Sequence, residues 1–204
     1  MDRALPANPL WNVPNLLTLM RVVMIPVMVL LAYWPVEAIR PQAQSAPNWQ
    51  NWSVAGLFMA AAITDWFDGY LARAWNQTSA FGRFLDPVAD KLMVAAALVM
   101  LVKLDRADAV LAFIIIGREI AISALREWMA NIGAAKSVAV SMVGKLKTIA
   151  QMTAIPMLLW NGPIGPLDIH RIGTWALWLA ALLTLWSMAY YLMKAWPEIT
   201  ARSR

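Results

Sequence analysis

The chain has 204 residues, 61% of them hydrophobic and 14% charged, with a net charge of +5. A soluble domain carries nearer a quarter charged residues, so the composition argues against a water-soluble enzyme and for an all-α, polytopic membrane protein of one domain, residues 1–204. There is no cysteine, which excludes disulfides and thiolate-held zinc. The positive balance reads as anchoring beside anionic lipid, not as nucleic-acid binding.

Residues 1–14 set Leu5, Leu10 and Trp11 among prolines and polar residues, a composition suited to a short segment on the membrane surface. No cleavable signal peptide is expected, because the first apolar run starts near Leu16 and no small-residue cleavage site follows it. A first span is expected over 15–34, kinked at Pro26. Arg21 lies six residues in, about 9 Å along the axis. It shares a face with Asn15 and Thr18, and is expected to turn toward acids elsewhere in the chain. A polar loop with three prolines leads to a second span over 52–73, and a short polar turn separates that from a third over 81–103. Pro87 falls in the early turns of the third span, where a missing N–H is best tolerated.

Three further spans are expected over 109–128, 138–160 and 172–196. The fourth carries Arg118, Glu119 and Arg126, and the fifth Lys145, Lys147 and Gln151 in its first half. Arg118 is near mid-span and so must face protein or water. The sixth has no internal charge and is expected to serve packing. His170, the single histidine, is expected as a solvated loop residue before that span. Six spans place both termini on one side. With that side cytoplasmic, only Arg40, Lys103, Arg106 and Arg171 of the 17 Lys and Arg residues fall outside, as the positive-inside rule requires. Trp34, Trp49, Trp52, Trp75, Trp128 and Trp160 fall near the expected interfaces.

The stretch over 65–90, DWFDGYLARAWNQTSAFGRFLDPVAD, organises the chain. It sets four carboxylates within or beside apolar spans, where each charge costs about 2.5–3.5 kcal/mol or more and like charges repel. Asp65 and Asp68 share a helix face; so do Asp86 and Asp90 on the next helix, with Gly82 extending that stripe. Two adjacent antiparallel helices would bring all four to one end of the pair. Hard carboxylate oxygens without His or Cys suit Mg²⁺ or Mn²⁺, and four of them suffice for two ions clamping a diphosphate.

The spacing D-x-x-D-G-x-x-A-R-(x8)-G-x-x-x-D-x-x-x-D, carried by Asp65, Asp68, Gly69, Ala72, Arg73, Gly82, Asp86 and Asp90, resembles the signature of the CDP-alcohol phosphotransferase family of integral membrane enzymes. All eight positions match. PNLLTLMR at 14–21, GREIAISALREW at 117–128 and VSMVGKLKTIAQ at 140–151 resemble the bacterial phosphatidylglycerophosphate synthase branch of that family, so the likeness covers roughly 12–192.

The resemblance implies Asp65, Asp68, Asp86 and Asp90 as metal ligands, with Asp90 also the general base. It implies Gly69, Ala72, Arg73 and Gly82, together with Asp65, around the CDP-diacylglycerol nucleotide, bordered by Thr18 and Asn15. The alcohol acceptor would be sn-glycerol 3-phosphate, its phosphate met by Arg118, Arg126, Lys145 and Lys147. The resemblance further implies a homodimer in the bacterial inner membrane with a cytoplasmic active site. Other readings stay open on the residues: a family member using serine, inositol phosphate or phosphatidylglycerol; an intramembrane prenyltransferase; or a divalent-cation transporter. Arg126 and Lys145 are equally well read as interfacial positive charges, and Arg118 as the ion-pair partner of Glu119.

Overall fold

The computed structural model describes residues 13–34, 48–74, 80–134 and 142–202. The surface segment expected over 1–14 lies almost wholly outside them, as do the side chains of Asp68, Gly69, Ala72 and Arg73, whose backbone is helical. Among the described residues the regular structure is entirely helical: α1 (Val13–Ala32), α2 (Asn48–Ala74), α3 (Ala80–Lys103), α4 (Ala109–Asn131), α5 (Met142–Trp160) and α6 (Ile169–Arg202). The expected all-α class holds, and each expected span meets one helix. The largest difference is at α6, which runs on through Pro197 to Arg202. Its hydropathy fades at Trp196, but its helical hydrogen bonding does not.

By length and hydropathy, α1 over Asn15–Ala32 (mean hydropathy 2.1) and α6 over Ile169–Ala201 (mean hydropathy 1.5) are long and apolar enough to cross a membrane. The motif acids lower the apolar content of α2 and α3, and the buried bases do the same in α4 and α5. Exposed large apolar side chains such as Phe113, Trp175, Trp186 and Met193 suit a lipid solvent.

The chain forms two compact units, Met1–Met100 and Leu101–Arg204. In the first, α1 lies against α2. The unit's buried apolar residues include Met28 of α1, Val54, Ala55, Phe58 and Ala61 of α2, and Ala89, Met93, Ala97 and Leu98 of α3, all nearly inaccessible. The buried Gln50 donates from Nε2 to the carbonyls of Leu31 (3.1 Å) and Trp34 (3.2 Å), satisfying acceptors that the end of α1 leaves open.

In the second unit α6 lies against both α4 and α5. Small residues admit the close approach: a Cβ on Gly173 would stand 3.0 Å from both Leu158 Cγ and Met157 Cβ of α5. Asp108 caps α4, accepting from Val110 N (2.8 Å) and Leu111 N (3.3 Å). The other end of α4 closes through Gly133 at φ 75°, with Ala134 N bonded to Met129 O at 2.7 Å, an arrangement that favours glycine. Arg106 donates from Nη1 to Leu159 O (3.0 Å), placing a cation on the open carbonyls at the end of α5. Burial holds the Arg106 guanidinium below its usual pKa.

Candidate functional site

In the first unit the polar stripe of α1 holds two of the motif acids. Asn15, Thr18 and Arg21 are at most 2% exposed. Arg21 Nη1 donates to Asp65 Oδ1 of α2 at 2.5 Å, and Thr18 Oγ1 donates to Asp86 Oδ1 of α3 at 2.6 Å. Arg21 therefore does turn inward to an acid. The reason is local: positions 15, 18 and 21 recur at helical spacing, and an Arg six residues into an apolar helix is costly unless paired. Each of the two carboxylates keeps a second oxygen that no hydrogen bond among the described residues occupies, and Asp65 is 40% exposed. Asp90 lies one turn beyond Asp86, half-buried, with Oδ1 shielded from solvent. Gly82 is buried one turn before Asp86.

Among the described residues no three His, Cys, Asp or Glu side chains group as a metal site. The fourth motif acid, Asp68, has its side chain outside that set, so the expected convergence of all four falls partly outside the described residues, as does the expected nucleotide contact by Gly69, Ala72 and Arg73. The donor chemistry at Asp65, Asp86 and Asp90 is carboxylate oxygen alone, which fits a hard divalent cation and not zinc.

The second unit gathers bases. Arg118 (6% exposed) and Lys147 (3% exposed) are buried in α4 and α5. Glu119 lies between them: its Oε1 accepts from Arg118 Nη1 at 3.3 Å and forms an ion pair with Lys147 Nζ. Arg118 also donates from Nη2 to Ser187 Oγ of α6 at 3.0 Å. Arg126 donates from Nη2 to the Tyr191 hydroxyl at 3.1 Å. Both guanidinium carbons lie over the Tyr191 ring, at 5.6 Å for Arg118 and 5.0 Å for Arg126. Two cations are thus held beside one fully buried aromatic ring. Lys145 is exposed and stands about 200° round α5 from Lys147, apart from these contacts.

Sequence reading missed Ser187 and Tyr191. Span six was expected only to pack, since it carries no internal charge. The available signal was a polar stripe at Thr184, Ser187 and Tyr191, at i, i+3 and i+7 of an apolar helix, all 0% exposed. The reading of His170 needs correction. It sits in the first turn of α6, half-buried, with Nδ1 shielded from solvent and without a hydrogen bond among the described residues. Asp168 caps that turn through Arg171 N (3.1 Å), which draws His170 out of the loop and into the helix. It lines a cavity of about 360 Å³ with Asp168, Arg171, Thr174, Trp175 and Trp178.

A family model described as CDP-alcohol phosphatidyltransferase matches residues 11–186. Proteins named CDP-diacylglycerol–glycerol-3-phosphate 3-phosphatidyltransferase from Escherichia coli (strain K12), Shigella flexneri serotype 5b and Shigella boydii serotype 4 are each 49% identical over 191 residues, covering 93% of this chain and 97% of theirs. A match of that extent, over the span that contains both the acid-bearing and the base-bearing helices, makes the chain a member of the CDP-alcohol phosphatidyltransferase family.

Proposed function

We propose that the protein transfers the phosphatidyl group of CDP-diacylglycerol to sn-glycerol 3-phosphate, releasing CMP. The observation that carries this reading is the cluster of Arg118, Arg126 and Lys147, in which, among the described residues, Glu119 pairs with Arg118 and Lys147 while Arg126 is held by the Tyr191 hydroxyl. Cations sequestered in an apolar bundle need an anion, and a dianionic phosphate supplies it. The names of the relatives supply the same acceptor.

Asp65, Asp68, Asp86 and Asp90 would hold divalent metal, Mg²⁺ or Mn²⁺ and two ions by the number of carboxylates. The family is generally dependent on such ions. Bound there, the metal would neutralise diphosphate charge and stabilise the leaving phosphate. Arg21 and Thr18 would fix the acids before substrate arrives, so that little reorganisation is needed. Asn15, Gly69, Ala72, Arg73 and Gly82 would border the nucleotide. Asp90 would take the proton of the acceptor's primary hydroxyl. The oxygen then bonds to the lipid-side phosphorus as the bond from that phosphorus to the bridging oxygen breaks, and CMP leaves with the bridging oxygen and its electron pair.

The exposed apolar faces and the Lys/Arg distribution support six spans in the bacterial inner membrane, with both termini and the motif turn cytoplasmic. A homodimer is proposed on the family resemblance. Purified protein given CDP-diacylglycerol, Mg²⁺ and a panel of alcohols should release CMP with glycerol 3-phosphate and form labelled lipid from the radiolabelled acceptor. CMP release only with serine, inositol phosphate or phosphatidylglycerol would reject the acceptor and keep the family.

A further inference from the structure

We propose that Gln151 is a specificity residue, whose side-chain carbonyl accepts a hydrogen bond from the secondary hydroxyl of the acceptor. This rests on the reading above that the acceptor is glycerol 3-phosphate.

Gln151 is 4% exposed, on α5 four residues after Lys147, and so on the face of α5 that carries Lys147 to Glu119. Its Oε1 is shielded from solvent and meets no donor among the described residues. A buried amide oxygen left in that state is costly, and it recurs in proteins where a ligand or water completes it. No donor of the neighbouring cations reaches it, and Lys147 and Arg118 both pair with Glu119. Nothing anionic belongs there either, since an amide oxygen is a neutral acceptor and calls for an O–H or N–H. A small polyol phosphate has both parts. Its phosphate answers the cations and a hydroxyl answers the amide. The primary hydroxyl must remain available to react, which leaves the secondary one.

Removing a hydroxyl from a ligand whose site was built to bond it leaves the buried acceptor unpaired, and discrimination follows from that penalty. The test compares glycerol 3-phosphate with 3-hydroxypropyl phosphate, which keeps the phosphate and the reacting hydroxyl but lacks the secondary one. Full-length protein in detergent micelles is assayed for CMP release with CDP-diacylglycerol and Mg²⁺. Wild type should favour glycerol 3-phosphate in kcat/KM by roughly 10- to 100-fold. Gln151→Met, similar in volume and without a strong acceptor, should bring that ratio to within about threefold of unity, and raise KM for glycerol 3-phosphate while KM for CDP-diacylglycerol stays within about twofold.

A wild type that uses both acceptors equally overturns the proposal without any variant. So does a Gln151→Met enzyme that loses activity on both in parallel, which is the mark of a structural role. Wild type inactive on glycerol 3-phosphate but active on another alcohol overturns the functional reading and this proposal with it. Wild type active on glycerol 3-phosphate with an unchanged ratio in Gln151→Met overturns only this proposal.

Discussion

In the first unit a buried cation, Arg21, holds the carboxylate of Asp65; in the second a carboxylate, Glu119, holds the cations of Arg118 and Lys147. The two arrangements are inversions of each other. In both, one charge of the minority sign orients charges of the other sign. On the function proposed above, the acids of the first unit would answer a divalent metal and the bases of the second a phosphate.

That contrast can be broken most decisively at the acids. Chelation of divalent metal should take CMP release to background. Asp90→Asn should lower turnover by roughly 10²- to 10⁴-fold, with an unchanged thermal melt in detergent. An active Asp90→Asn enzyme would remove the base from the scheme.

The next effect belongs to the bases. Arg118→Met or Lys147→Met should raise KM for glycerol 3-phosphate by roughly 10- to 100-fold while KM for CDP-diacylglycerol holds. A change in the lipid KM alone would mean that these cations serve the other substrate. Arg21→Met should be milder. Asp65 is partly solvated, so losing its partner should cost about 1–3 kcal/mol of stability, read as a lower melting temperature. Half-saturation by Mg²⁺ should then move to higher concentration, since Asp65 is no longer held in place beforehand, and the acceptor KM should not move. If Arg21→Met shifted only the acceptor KM, the division of labour would fail.

The smallest expected effect is structural. Gly173→Ala presses a methyl against Met157 and Leu158, and the usual cost of overpacking, about 1–3 kcal/mol, exceeds the gain of up to about 1 kcal/mol from a better helix former. A net loss of about 1 kcal/mol in the melt would sharpen the picture of α6 seated closely on α5.

The acids were readable because the pattern is local: Asp65 with Asp68 and Asp86 with Asp90 each fall within one helical turn, and their cost in an apolar run is apparent without coordinates. The inward turn of Arg21 was readable for the same reason. The cluster around Tyr191 was not. Tyr191 lies 65 or more residues from Arg118 and Arg126 along the chain, and a tyrosine in an apolar helix looks like packing until its hydroxyl is seen to accept from Arg126. Gln151 was visible as a residue but not as a deficit, because an acceptor without a donor exists only once the surroundings are known. Helix limits followed hydropathy wherever charge and apolar content change together, and failed at the end of α6, where they do not.

At 34 residues α6 is about 51 Å long, whereas the oily part of a bilayer is about 30 Å deep. In a bilayer it would either lean steeply or send several turns out of the membrane as a rigid spur. Lys194, poised 5.0 Å from the Tyr190 ring, Glu198 and Arg202 are all on that last stretch. A spur of this kind would reach past the lipid phosphates into water, and its charges would fix how deeply the whole helix can sink.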